Sequence, residues 1–318
     1  MSKRRRLHGR RRPSAVRRVV RSVLLAGALL TGGAVLMSLA GCFESSLFYF
    51  PNRSAFETPA GVEDVRFPSR EEGIELHGWF IPARGVAAGE AAPTVLHVHG
   101  NAFHVARHLA VCEWLADEGF NVLLFDYRGY GRSDRGRLLR DGLVADAHGA
   151  IDYLLTREDV DPERIGLFGF SMGGTIGLAA AAEREEIRAV AAGSTFSTWK
   201  GVTGDYAGGL GRLLIPAGRD AAASAARLGE GVGRPLLITH GDADRIVNVR
   251  HAALLERAAS EAGVRVAVHI EPGAGHVTWV NDPAEVGVKR AIAEFFREEL
   301  AVRQTDPASG GDAAAGFR

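Results

Sequence analysis

Short apolar runs bounded by glycine and aspartate turns alternate along this chain with longer stretches of helical composition. Residues 62–67 and 74–81 switch between apolar and polar positions with a period of two, as half-buried strands do, and Glu71-Glu72-Gly73 supplies a turn between them. An antiparallel edge pair is expected there. From residue 94 onward the signal changes: 94–98, 121–125, 164–168, 187–192, 235–239 and 265–270 are short runs, most of them apolar, as suits strands covered on both faces. Between them 106–118, 141–156, 174–182 and 250–262 read as helices, with 282–302 closing the chain. Alternation of this kind predicts an α/β architecture, a mostly parallel central sheet flanked by helices. Residues 201–233 hold glycines and alanines with few strand signals and are too few for a large cap domain, so at most a small helical flap is expected.

Composition changes this picture mainly at the N-terminus. At 318 residues the chain can bury one large core, and 46% hydrophobic with 24% charged residues is ordinary for a globular protein. A formal net charge of zero hides an asymmetry: residues 1–41 carry ten Lys or Arg and no acid, leaving 28 basic against 38 acidic residues elsewhere. That excess of negative charge gives the body no bulk attraction for nucleic acid. Residues 22–41 are uncharged, mostly apolar and about long enough to span a membrane. The chain is therefore expected to divide into a leader at 1–41, a membrane-proximal linker at 42–61, a folded body at 62–302 and a tail of disordered composition at 303–318. The aromatic stretch at 48–50 should pack against the body near the membrane surface.

The two cysteines need separate explanations, and no disulfide framework is implied. Cys112 falls in a helical stretch and reads as a small buried hydrophobe. Leu39-Ala40-Gly41-Cys42 resembles a bacterial lipobox, which implies cleavage ahead of Cys42 and a lipid on its sulfur. The other reading is an uncleaved N-terminal anchor with an incidental cysteine. On either, the body is tethered to a membrane and extracytoplasmic, with the basic cluster kept inside. Phe43, rather than an aspartate, favours outer-membrane sorting where there is an outer membrane, as the resemblance to bacterial lipoproteins implies.

The candidate chemistry centres on Gly169-Phe170-Ser171-Met172-Gly173, a G-x-S-x-G match between an apolar strand and a small-residue helix. Such a serine sits on a sharp elbow, its hydroxyl thrust out at the carboxyl end of the strand. The backbone N–H of Met172, at the helix N-terminus, then points where negative charge develops on a carbonyl oxygen. Downstream, an apolar strand runs into His240-Gly241-Asp242-Ala243-Asp244, which offers two carboxylates. Pro272-Gly273-Ala274-Gly275-His276 is a flexible turn delivering a histidine just after the last strand. A serine, then an acid, then a histidine is the order of the Ser-Asp-His relay on this architecture. Asp126 precedes the serine, the wrong order, and reads as structural.

Four histidines, His97, His99, His104 and His108, invite a metal reading through an H-x-H pair and an i, i+4 pair. No carboxylate or cysteine cluster accompanies them, and a serine elbow needs no zinc, so neither a metal nor any other cofactor is expected. His97 and His99 are read as supports of the turn that follows them, and His104 with His108 as a solvated helix face. Phe196 and Trp199 are candidates either for an acyl pocket or for plain core packing.

His99-Gly100-Asn101-Ala102, followed by Asp126-Tyr127-Arg128-Gly129-Tyr130-Gly131-Arg132-Ser133, resembles the α/β-hydrolase superfamily, and within it the BEM46-like and ABHD-type serine hydrolases. The resemblance runs from about residue 47 to about residue 296. It implies that the amide of Asn101 is the second oxyanion donor beside that of Met172. It also maps the family's HGxxDxxV pattern onto His240, Gly241, Asp244 and Val247, which selects Asp244 over Asp242. Asn248 stands where the family usually has a proline, a departure that touches the loop more than the chemistry. The expected activity is hydrolysis of carboxylic esters or thioesters, with a small-molecule or lipid acyl ester as substrate. A peptidase or amidase on the same relay, or a non-catalytic lipoprotein that binds lipid, are the other readings.

Overall fold

The computed structural model describes residues 44–87, 90–231, 233–277 and 286–301, with residues 22–24, 26–27, 32–33 and 41 of the leader. Cys42, the first residues expected of the closing helix and the 303–318 tail lie outside the described residues. Ten strands are described in chain order: β1 (Phe50–Pro51), β2 (Glu63–Pro68), β3 (Glu75–Ile81), β4 (Ala92–Val98), β5 (Ala102–Phe103), β6 (Asn121–Phe125), β7 (Val160–Phe170), β8 (Ile187–Gly193), β9 (Leu236–Gly241) and β10 (Val266–Glu271). Among them run helices α1 (Val105–Cys112), α2 (Arg140–Leu154), α3 (Met172–Ala181), α4 (Trp199–Leu214), α5 (Ala221–Arg227), α6 (Arg250–Glu261) and α7 (Val286–Glu299).

Eight strands form one sheet in the order β10-β9-β8-β7-β4-β6-β3-β2. Its first six strands pair in parallel; β3 lies antiparallel on β6, and β2 antiparallel on β3. The central strands alternate between two cores because successive side chains leave a strand on opposite faces. Leu96, Leu123 and Leu167 enter the core under α2, α3, α5 and α6; Val95, Val122, Leu124 and Phe168 enter the one that holds Val111, Ile292 and Phe296 of α1 and α7. Cys112 is fully buried in the second core, where burial pushes its thiol well up and keeps it protonated.

The folded body begins earlier than residue 62. Residues 44–48 form a helical turn, Phe48 and Tyr49 are buried, and β1 pairs in parallel with β5, Phe50 opposite Ala102. The N-terminal segment is thereby stitched to the turn that follows β4. The expected flap proves to be α4, whose helical path breaks at Gly208 (φ 63°, ψ −160°), followed by the short α5.

Candidate active site

Ser171 stands at the carboxyl end of β7 with φ 55° and ψ −124°, a conformation that a side chain adopts only under constraint. The constraint is visible. Its amide donates to the Gly193 carbonyl at 2.8 Å, its carbonyl accepts from Thr195 Oγ1 at 2.6 Å, and α3 begins at the next residue. A Cβ on Gly173 would lie 1.9 Å from the carbonyl oxygen of Val98, and one on Gly169 would lie 2.5 Å from that of Gly173. Both flanking positions of the elbow therefore require glycine by contact.

His276 Nε2 lies 3.0 Å from Ser171 Oγ, and His276 Nδ1 lies 2.7 Å from Asp244 Oδ2. A carboxylate only accepts, so Nδ1 carries the proton and Nε2 is left to accept from the serine hydroxyl. The other aspartate of the loop, Asp242, is exposed and accepts from the Gly273 amide instead. Asp244 Oδ1 accepts the amides of Ile246 and Val247, each at 2.8 Å. Burial by itself would raise the Asp244 pKa. Contacts with the His240 and His276 side chains and the Val247 amide outweigh it and hold the carboxyl well below the usual range. His240 Nε2 donates to the Val247 carbonyl at 2.9 Å and lies 3.3 Å from Asp244 Oδ2. It ties both ends of the acid loop together, a role that its place in the pattern did not disclose.

The turn after β4 abuts this relay: a Cβ on Gly100 would be 3.5 Å from Ser171 Cβ. Each carbonyl from 99 to 102 is held by a named donor. Tyr127 Oη donates to the His99 carbonyl at 3.0 Å and His99 Nδ1 to that of Gly100 at 2.7 Å. Tyr130 Oη at 2.8 Å and the Phe50 amide at 2.9 Å both reach the carbonyl of Asn101. His108 Nε2 donates to that of Ala102 at 2.8 Å. With each of its carbonyls already held by a donor, the turn has its orientation set before any ligand arrives, the arrangement an oxyanion site needs. The Met172 amide, first in α3, has no intrahelical acceptor. Tyr130→Phe deletes one of the two donors on the Asn101 carbonyl. It is expected to lower kcat about two- to tenfold with little change in KM, as steady-state kinetics would show.

The helical histidine pair is not a solvated face. His104 is buried against Phe56, ring centroids 4.3 Å apart, and contacts Ser54 Oγ at 3.2 Å, while His108 stacks on His99 at 4.8 Å. Phe56 arrives from the irregular stretch ahead of β2, a partner that helical spacing alone could not reveal. Burial pushes His97 down to about 3, and His99 and His108 also downward, so the cluster is neutral at physiological pH. Among the described residues no three His, Cys, Asp or Glu side chains are grouped to hold a metal ion. Asp126 accepts from His77 Nδ1 at 2.9 Å and from the Val105 amide at 2.8 Å, bracing β3 against the start of α1.

Two cavities meet at Ser171 and Asn101. One, of about 240 Å³, is apolar and lined by Leu47, Phe48, Met172, Phe196, Val202 and Tyr206 among others. The other, of about 450 Å³, includes His276, His108, Phe170 and Arg107. Phe196 is thus a cavity wall. Trp199 is core, wedged against Phe48 at 4.9 Å with the Arg140 guanidinium over its ring.

A mostly parallel sheet between two helical layers, with a serine elbow at one strand end and an acid and a histidine on later loops, defines the α/β-hydrolase fold. The solved structure of the Pyrococcus furiosus esterase Pf2001 superposes over 80% of this chain and 98% of its own (TM-score 0.64, 22% identity). Pyrococcus horikoshii acylaminoacyl peptidase superposes over 81% of this chain and 43% of its own (TM-score 0.61, 21% identity). Residues 107–303, more than half of the chain, match the prolyl oligopeptidase family, and the protein belongs to it. It is also 34% identical over 300 residues to the uncharacterized protein YfhR of Salmonella typhi, covering 90% of this chain and 98% of that one. The family supports hydrolase activity, without deciding between ester and peptide bonds.

Proposed function

We propose that this protein is a serine hydrolase of carboxylic esters or thioesters, related within its superfamily to the BEM46-like enzymes. Ser171 attacks the carbonyl carbon while His276 takes its proton, and the electron pair released from the carbonyl is held by the amides of Asn101 and Met172. His276 then returns the proton to the leaving oxygen or sulfur, and water repeats the sequence on the acyl-enzyme. Asp244 keeps the imidazole in the required tautomer and balances the imidazolium. The observation that carries this reading is the continuous chain of contacts from Asp244 Oδ2 through His276 to Ser171 Oγ, at 2.7 and 3.0 Å.

Because His276 must protonate the leaving group, that group belongs in the cavity His276 lines, and the acyl group in the apolar cavity opposite. A cavity of about 150 Å³ holds a six-carbon ring, so one of 240 Å³ suits an acyl chain of roughly six to ten carbons. Nitrophenyl ester hydrolysis is expected to peak in that range and to fall at acetate; a maximum at acetate would refute the acyl assignment.

The family match and the acylaminoacyl peptidase likeness favour a second reading, cleavage of amides by the same groups. Among the described residues neither cavity is lined by an Asp or Glu that could anchor a peptide amine, which weighs towards esters. Matched ester and anilide substrates decide, the ester reading requiring the larger kcat/KM on the ester beyond its intrinsic reactivity. A lipid-binding lipoprotein without turnover would bind acyl ligand equally as Ser171→Ala and hydrolyse nothing. We also propose that the N-terminus tethers the body to a membrane on its extracytoplasmic side, through a lipid on Cys42 once residues 1–41 are cleaved or, where the leader is kept, through the apolar run at 22–41. Metabolic labelling with a palmitate analogue, lost in Cys42→Ala, marks the first of these; its absence marks the second.

A further inference from the structure

Five of the large apolar side chains left exposed on the body, Phe50, Phe103, Tyr206, Ile246 and Val277, line the two site cavities, while Leu155, Leu254, Val268 and Ile270 lie elsewhere. Phe50, Tyr206 and Ile246 stand at the lip of the acyl cavity, and Phe103 at that of the other. The flap helix α4, whose Val202 and Tyr206 line the acyl cavity, carries two more exposed leucines past its Gly208 break, Leu210 at 74% and Leu213 at 81%. A monomer in water gains nothing from apolar surface concentrated in this way.

Three arginines belong to these segments: Arg107 lines the leaving-group cavity, Arg245 precedes Ile246 in the chain, and Arg212 lies between the two leucines of α4. All three are exposed, and none forms an ion pair among the described residues. The acid nearest to them on α4, Asp205, is already engaged by Arg250 and His251. The rim thus offers positive charge on a body whose overall balance is acidic. Apolar side chains interleaved with unpaired arginines suit a headgroup layer, the leucines and aromatics entering the acyl boundary and the guanidiniums meeting phosphates.

The path of the chain selects the occupant. Gly41, the end of the uncharged run at 22–41, lines a cleft with Glu44 and with residues 216–219 that follow α4. From there the 44–48 turn and β1 lead to the mouth itself, a path of roughly 20 Å at helical and extended rises. A membrane holding the chain at this end, by residues 22–41 or by a lipid on Cys42, would therefore lie beside this face. A second copy fits less well, since a two-fold contact would set the same arginines against each other.

We infer that the mouth of the site rests on an anionic bilayer, and that its substrates are acyl esters carried in that bilayer. The substrate part rests on the hydrolase reading; the docking does not. The test uses the full chain inserted through its leader into vesicles of phosphatidylcholine and phosphatidylglycerol in equal parts. In Leu213→Trp, the added indole emission is expected to shift to the blue and to lose about half its intensity when the acyl chains are brominated. In the Leu210→Asp, Leu213→Asp double variant, turnover of a vesicle-borne diacyl ester is expected to fall about tenfold while a soluble nitrophenyl ester is cleaved as before. An added indole that stays unquenched, with the emission of water, overturns the docking. Quenching with no loss of vesicle turnover in the double variant overturns the delivery of substrate from the bilayer. If no ester of either kind is cleaved, the hydrolase reading fails while the quenching still decides the docking.

Discussion

Asp244→Asn is expected to lower kcat by about 10⁴ with KM nearly unchanged. Asparagine has the shape of aspartate but presents an amide that can donate to His276 Nδ1, which stabilises the tautomer with its proton on Nε2. That nitrogen then faces Ser171 Oγ at 3.0 Å as a donor and cannot accept the hydroxyl proton. The imidazolium formed during attack also loses its balancing charge. His240 would still donate to the Val247 carbonyl, so the loop persists and the loss is in chemistry rather than folding. A pH effect follows from the depressed Asp244 pKa. The folded value lies below the unfolded value of about 3.9, so the ionised group stabilises the fold above about pH 4, and this contribution is lost as pH falls through the folded value. Asparagine has no such dependence, so the stability gap between parent and variant should narrow from neutral pH to about pH 3, as thermal melts would show.

The second large effect is on stability. Glu44→Ala is expected to cost about 3 kcal/mol, which for a domain of this size is a fall in Tm of roughly 6–12 °C in a calorimetric scan. Glu44 accepts from Arg140 Nε and Nη2, both at 2.8 Å, and from Tyr49 Oη at 2.9 Å, and both charged side chains are almost fully buried. Arg140 also donates to the carbonyls of Pro216 and Gly218. Removing the carboxylate leaves a buried guanidinium without its counter-charge. The figure is set at the low end for such pairs because Arg140 borders an open cleft that admits water. Glu44→Gln, which retains acceptor and shape, should fall between the two. Activity should decline with stability, since this knot holds the segment whose Phe50 amide secures Asn101.

That segment also shows where the sequence was hard to read. The elbow was legible because contact forces its glycines, and glycines at fixed spacing survive as a pattern. Asp244 was legible through spacing relative to His240 and Val247, and His276 through a glycine-rich turn after the final strand. At residues 44–51 the aromatic stretch foretold packing against the body, which the burial of Phe48 and Tyr49 bears out, but not the element it would pair with. An aromatic stretch behind an apolar leader has no period, and its partner strand, Ala102–Phe103, is two residues long. The supports of the Asn101 turn were hidden for a related reason. Tyr127 and Tyr130 lie nearly thirty residues from the carbonyls they hold, inside a loop whose pattern is set by its glycines. His104 and His108 have the spacing of a helix face, and only the fold shows that Phe56 and His99 cover that face.

The central claim is that Ser171 is a nucleophile activated by His276. The most direct measurement is peptide mapping by mass spectrometry after the full chain reacts with a fluorophosphonate probe. The adduct should fall on Ser171, be absent from Ser171→Ala, and form at least 10²-fold more slowly in His276→Ala. Equal labelling of the parent and Ser171→Ala, or an adduct on another residue, would contradict the account.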